Sequence, residues 1–324
     1  MGDLADGRLQ QLATGIPSIL LDVHAASTNR TYNYMFQRWK TWASTFTEVS
    51  VLPADPFYVA LFAIHTAKLS GSAASVKIVV PAINWGHRLA GMFFDAQNIF
   101  LKDTVSGLQR QLAKPRMPKE VLEIKHIKKI LNDLQYGDVM DLRVGSMIML
   151  AFFGFLRFNE LINIKRSDIT FAGSHMKVYI RRSKTDQLRQ GDAVLISVLN
   201  NGYCPVSLLN IYLIMAKISE VSDCYIFRRI IGTGKDAQLI SRNIPMTYSR
   251  TREIVLKKFQ TIGLITAKFG LHSLRAGGAT EAARHGIPDR LFQRHGRWSS
   301  ELCKNMYVKD DIAAMLSVSK NLGL

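Results

Sequence analysis

The longest apolar stretch of the chain, Val144 to Leu156, runs directly into Arg157. A helix that spans a bilayer needs about 20 apolar residues, so this stretch is too short to cross one. It reads instead as a helix buried on all sides, which requires a folded body around it. The chain can supply that body. Its 324 residues allow two domains, and 48% hydrophobic with 9% aromatic residues is globular rather than disordered composition. Met1 to Gly15 carries acids and no apolar centre, unlike a secretory signal. Asp6 stands where a myristoylation motif following Gly2 needs Ser or Thr. Cys204, Cys224 and Cys303 lie far apart with no CxxC pair, so neither a disulfide framework nor a zinc cluster is expected. An intracellular, reducing compartment fits: the nucleus in a eukaryote, the cytoplasm in a bacterium.

Charge divides the chain unevenly. The formal net charge is +17, which favours a polyanionic partner, either nucleic acid or an anionic membrane surface. Residues 1–112 hold 9 Lys/Arg against 7 Asp/Glu, whereas residues 113–324 hold 33 against 18. At the change stands Lys114-Pro115-Arg116-Met117-Pro118-Lys119, two prolines and three cations with little apolar content, which reads as a linker. The expected organisation is a helical domain over 1–113, a linker over 114–119 and a second domain over 120–324.

In the first domain, Tyr32, Met35, Phe36, Trp39, Ala43 and Phe46 recur at helical spacing behind a candidate cap at Ser27 or Thr28. Asp55-Pro56 opens a second helix that Gly71 closes. A third covers Ala74 to Leu89, where Pro81 should kink or split it, and a fourth covers Thr104 to Leu112. Trp39, Trp42 and Trp85 read as core. The second domain should begin with a helix over Glu120 to Leu134, followed by the buried helix. Two strands come next, Met176 to Ile180 and Ala193 to Val198, around a polar turn at Ser183 to Gly191. Helices return at Val206 to Ile218, Thr247 to Ile262, Ser273 to Arg284 and Asp289 to Arg294. The fold class is therefore mainly α with a small antiparallel β-sheet.

The chemistry-bearing residues gather late in the chain, in His272-Ser273-Leu274-Arg275, His295-Gly296-Arg297-Trp298 and Tyr307. His and Arg three apart on a helix share a face and can reach one ligand. Arg offers a planar fork to phosphate oxygens, and His passes a proton near neutral pH. A tyrosine hydroxyl, with a pKa near 10, needs a cationic pocket or a base to become a nucleophile.

These residues resemble the C-terminal signature of the tyrosine recombinase (phage integrase) family. There a His or Trp precedes the nucleophilic Tyr by nine residues, the spacing of Trp298 and Tyr307, and Trp in that place is Cre-like. His295 is a minor alternative for the same role. Upstream, Gly154-Phe155-Leu156-Arg157-Phe158-Asn159-Glu160-Leu161 resembles the segment carrying the first catalytic arginine, with Arg157 in that place and Glu160 available to orient it. Lys184, in Arg182-Ser183-Lys184-Thr185-Asp186, matches the family's catalytic lysine in the turn after a strand. The resemblance implies a helical core-binding (SAM-like) domain and an α+β catalytic domain. It also implies a covalent 3′-phosphotyrosine intermediate formed by Tyr307, with Arg157 and Arg275 on the non-bridging oxygens. Lys184 would act on the leaving 5′-oxygen, His272 as base, and Trp298 through its indole N–H or by packing. Neither metal, ATP nor another cofactor is called for.

The same resemblance implies double-stranded DNA as partner and a homotetramer built by exchange of the C-terminal segment. Ile312, Met315, Leu316, Val318 and Leu322 give that segment an apolar side, which could equally pack on its own domain. Lys165, Arg166, Arg181, Arg228, Arg229, Lys257 and Lys258 are candidate phosphate contacts. The expected function is a site-specific recombinase or integrase from a mobile element. A domesticated, non-cutting DNA-binding protein and a type IB topoisomerase are the alternatives. Arg275-Ala276-Gly277-Gly278 departs from the common bacterial form; two adjacent glycines are poor helix formers, so close packing or approach to DNA should explain them.

Overall fold

The computed structural model describes residues 5–115, 118–181, 191–309 and 312–323. The chain divides into two compact units, Met1–Arg116 and Met117–Leu324. The first is helical: α1 (Gly7–Asp22), α2 (Ala26–Ala43), α3 (Pro56–Ser70), α4 (Ala73–Leu89) and α5 (Ile99–Gln111). Asp55 caps α3 by accepting from the Phe57 N–H, Pro56 fills its first turn, and Gly71 ends it with φ 56°. Trp39, Val59, Phe62, Val76, Ile83 and Leu101 form the centre of the core. Trp39 is fully buried and donates its indole N–H to Val51 O at 3.1 Å.

Several local expectations change. The cap of α2 is Ala25, with no side-chain cap bond, so Ser27 and Thr28 fall inside the first turn. Helix α4 continues through Pro81 as one element. Helix α5 starts at Ile99 behind an Asn98 cap, earlier than the apolar spacing indicates. Helix α1 was not expected; none of its residues is buried.

The second unit contains α6 (Ile124–Asn132), α7 (Val139–Phe153) and the short α8 (Phe158–Ile162). Strands β1 (Ile169–Phe171), β2 (His175–Ile180) and β3 (Asp192–Ser197) form one antiparallel sheet in that order. Then come α9 (Pro205–Met215), the two-residue strands β4 (Ile230–Ile231) and β5 (Gln238–Leu239), α10 (Tyr248–Thr261), α11 (His272–Arg284), α12 (Asp289–Gly296), α13 (Glu301–Asn305) and α14 (Ile312–Lys320). The apolar stretch is α7, buried almost throughout, with α9, α10 and α11 packed around it. No helix among the described residues is long and apolar enough to cross a membrane. Residues 120–123 are not helical: Glu120 N donates to Lys268 O and Leu122 N to Ser273 O, so the chain enters the unit against the start of α11.

Gly277 and Gly278 are explained by that packing. A Cβ on Gly277 would stand 2.1 Å from Leu122 O, and one on Gly278 would stand 2.1 Å from Phe152 O. Helix α11 therefore lies with its backbone flush against the end of α7, the point from which Arg157 departs.

Candidate active site

The turn after α7 builds the site. Phe155 takes a left-handed backbone, φ 46°, and swings the chain out of α7 toward α8. Arg157 stands immediately before α8. Its backbone N–H donates to Glu160 Oε2 at 2.9 Å, and its guanidinium donates to Oε1 at 2.7 Å. The Glu160 side chain is only 1% exposed, so its carboxylate requires cationic partners. It has three: Arg157, Arg297 Nη2 at 2.9 Å and, more loosely, Arg275 Nη1 at 3.7 Å. Burial pushes the Glu160 carboxyl up, but Arg297 and Arg157 together outweigh burial and hold it below the ordinary value.

Arg275, in the first turn of α11, has no exposed surface. Its Nη1 donates to Phe155 O and its Nη2 to Gly296 O, the latter at 2.6 Å. The guanidinium carbon lies 4.8 Å from the centre of the Trp298 ring and 4.9 Å from that of Tyr307, within cation–π range of both. Burial, followed by the neighbouring Arg157, pulls its pKa down to about 10, which leaves it cationic at neutral pH. Trp298 is buried among Phe155, Ala279 and Phe292, and its ring centre is 5.5 Å from that of Tyr307. Tyr307 follows α13, a helix tied to α12 through the buried Lys304, whose Nζ lies 2.7 Å from Asp289. Thr280 Oγ1 on α11 donates to Tyr307 O at 3.4 Å.

Three guanidinium groups therefore share one carboxylate, leaving a local excess of positive charge. Arg275 Nε, Arg297 Nε and the Trp298 indole nitrogen are buried N–H donors with no hydrogen-bond partner among the described residues. Leaving a buried donor unmatched costs about 1–3 kcal/mol. The surplus of positive charge beside a half-buried tyrosine suits an anion that carries several acceptor oxygens.

Residues 120–313, more than half of the chain, match the phage integrase family. The chain belongs to that family. This tyrosine recombinase family member is similar to an integrase/recombinase xerD homolog of Selenomonas ruminantium, with 26% identity over 291 residues covering 88% of this chain and 82% of the relative. Its fold is similar to that of XerH site-specific recombinase solved as a post-cleavage complex with palindromic difH substrate. The TM-score is 0.64 at 18% identity, covering 90% of this chain and 79% of the other. A lambda integrase dimer bound to a core site gives 0.56 at 15% identity, covering 94% and 96%. The Tn1549 transposon integrase in complex with circular intermediate DNA gives 0.53 at 12%, covering 90% and 98%.

Of the residues singled out in this integrase-family sequence, the structure brings Arg157, Arg275, Trp298 and Tyr307 together. His272 is the exposed first residue of α11, one turn before Arg275. Lys184 lies outside the described residues. His295 is committed elsewhere: its Nε2 stands 2.7 Å from Phe153 O, and since a carbonyl only accepts, Nε2 carries the proton. Its ring meets Phe155 edge-on at 4.7 Å, and burial lowers its pKa. Arg297 was missed, because nothing in its spacing marks it. Among the candidate phosphate contacts, several serve the fold instead. Lys258 is buried against Asp133 at 2.9 Å and Asp141 at 3.1 Å. Arg166 is buried and donates to Ile169 O, and Arg228 donates to Tyr225 O and Ile240 O. Lys165 pairs with Asp223 and Arg181 with Asp168. Arg229 and Lys257 are exposed.

Proposed function

We propose that this chain is a DNA-cleaving and rejoining recombinase whose nucleophile is Tyr307. The observation that carries the reading is Arg275: a buried guanidinium roofed by Trp298 and Tyr307 and linked through Glu160 to Arg157. In the proposed step the Tyr307 oxygen bonds to the scissile phosphorus, its proton passes to His272, and the 5′-oxygen leaves with a proton from Lys184. The product is a 3′-phosphotyrosine and a free 5′-hydroxyl. Arg157, Arg275 and the Trp298 indole N–H bind the non-bridging oxygens, where charge accumulates in the transition state. Losing one such donor typically costs about 100- to 1,000-fold in rate. The covalent bond retains the energy of the broken phosphodiester, so rejoining to a new end requires no nucleotide. Double-stranded DNA is the substrate, a mobile element the source, and a homotetramer exchanging the α14 segment the working assembly. The linker at 114–119 joins the core-binding domain to the catalytic domain.

The test is to trap the intermediate. The full chain is mixed with DNA flanking its own gene, including nicked duplexes that prevent religation, then denatured and assayed for protein joined to a 3′ end. Adduct in the wild type and none in Tyr307→Phe is expected. DNA binding without adduct on any of these substrates would overturn the reading in favour of a non-cutting DNA-binding protein.

A further inference from the structure

Arg297 is the end of α12 and takes the left-handed conformation, φ 53° and ψ 45°. Helices ending in this way favour Gly or Asn, because a Cβ in the left-handed conformation crowds the following carbonyl oxygen. An arginine is retained in that conformation only if its side chain compensates, and the contacts show how. Nη1 donates to His295 O at 2.8 Å and Gly154 O at 3.3 Å. Nη2 donates to Phe155 O at 3.1 Å and to Glu160 Oε2 at 2.9 Å. The side chain is 4% exposed, so it acts inside the protein rather than at its surface.

Two of these acceptors, Gly154 O and Phe155 O, belong to the turn between α7 and Arg157, and a third, Glu160, stands just beyond it in α8. Phe155 O receives both Arg275 and Arg297, and Glu160 Oε2 receives both Arg297 and the backbone N–H of Arg157. Because Arg297 occupies Oε2, Glu160 presents Oε1 to the Arg157 guanidinium and keeps Arg275 at 3.7 Å rather than in a direct pair. The geometry points to Arg297 as a positioning residue for DNA cleavage: it locks Glu160, and through it sets the guanidinium groups of Arg157 and Arg275 at the spacing that receives the phosphate. This role rests on the proposed reading of Arg157 and Arg275 as phosphate ligands. A lysine cannot replace it, since one ammonium on a flexible stem does not fork across two carbonyls and a carboxylate.

The experiment compares wild type, Arg297→Lys and Arg297→Gly as full chains. DNA affinity and the single-turnover rate of adduct formation on a nicked duplex are measured separately. Displacement of a reacting group by about 1 Å can cost on the order of 100-fold, so a rate loss of that order is expected with affinity changed by less than about threefold. Arg297→Gly relieves the backbone and opens a space the size of the lost side chain. Added guanidinium ion, below denaturing concentration, is expected to recover part of its rate where sodium at equal ionic strength does not.

A second arm does not depend on cleavage. The groups facing Glu160 are Arg157 on its own turn, Arg275 on α11 and Arg297 at the end of α12. With Arg297 gone, burial acts on the carboxyl with less opposition. The infrared band of protonated Glu160 should then grow in at higher pH in either Arg297 variant than in wild type, with Glu160→Gln identifying the band. An unchanged single-turnover rate in a folded variant, or a Glu160 band that does not move, overturns the inference. So does a rate loss fully matched by lost affinity and unmoved by guanidinium. If Arg297→Gly does not fold, Arg297→Lys decides by rate and band. Absence of adduct in the wild type itself defeats the functional reading instead, and the infrared arm still decides whether Arg297 holds Glu160.

Discussion

Replacing Gly278 with alanine adds one methyl group in the middle of α11. On helix propensity alone this should stabilise the chain by about 0.8–1 kcal/mol. The structure reverses the sign. The new Cβ would stand 2.1 Å from the carbonyl oxygen of Phe152 and 2.7 Å from the Phe155 ring. Ordinary carbon–oxygen contact lies beyond 3 Å, so α11 or the end of α7 must give way by about 1 Å, and the nearest obstacle is backbone. Overpacking of this kind costs about 1–3 kcal/mol or more. At the upper end, less the propensity gain, the net loss is about 2 kcal/mol. For a unit of this size each kcal/mol corresponds to about 2–4 °C, so melting of the second unit should fall by about 4–8 °C. Calorimetry on the full chain reads this directly. Gly107→Ala is the control, since Gly107 is inside α5 and has no neighbour within 4 Å of its would-be Cβ. It should hold or raise the melting temperature of the first unit. A Gly278→Ala protein as stable as wild type would refute the argument that α11 lies flush on α7. Because Arg275 sits three residues earlier on that helix, a displaced α11 should also slow adduct formation.

Glu160→Gln leaves three guanidinium groups around a neutral amide, and breaking a buried pair in this way costs about 3–5 kcal/mol, measurable by urea titration. Lys258→Met strands Asp133 and Asp141 and should destabilise the second unit, whereas Lys257→Met at an exposed position should not. If Lys257 contacts a phosphate, its loss lowers the slope of log K against log salt by about 0.9, and an unchanged slope removes it from the DNA interface. His295 has a folded pKa below its ordinary 6.5, so its contribution to stability is present above pH 6.5 and is lost as pH falls through the folded value. Glu160, likewise depressed, contributes above its ordinary 4.5 and loses that contribution as pH falls through its folded value. His295→Gln should therefore flatten the stability profile just below neutrality and leave the more acidic loss in place, as chemical denaturation across pH would show.

What was legible in the sequence was local. Asp55-Pro56 and Gly71 bracket α3 because capping acts within one turn. The run before Arg157 reads as a buried helix because nothing else accommodates so much apolar surface. Helix α1 escaped notice for the opposite reason: it buries no residue, so no core-facing stripe announces it. β1 is too short to show alternation, and it exists because Ile169, Thr170 and Phe171 find Val178, Lys177 and Met176 opposite them. At Pro81 the helix is not split: α4 runs through it with Val79, Ala82 and Ile83 fully buried around that point. In the site, Glu160 could be anticipated from its spacing to Arg157. Arg297 could not, since its role depends on a left-handed backbone and on carbonyls far away in sequence.

That distance has a consequence for how the protein is made. The carbonyls of Phe153, Gly154 and Phe155 are met by side chains of His295, Arg297 and Arg275, closing loops of 142, 143 and 120 residues. Loop-closure entropy makes a 142-residue contact about 2 kcal/mol costlier than a local one of about 12 residues. During synthesis the first half of the site therefore waits with an unmatched turn until residues 275–297 have emerged. A chain that stops before residue 275 retains α7 and Arg157 but lacks all three side chains that meet the carbonyls of this turn. Such a truncated chain is expected to be unstable and open to proteolysis, which limited digestion beside the full chain would read.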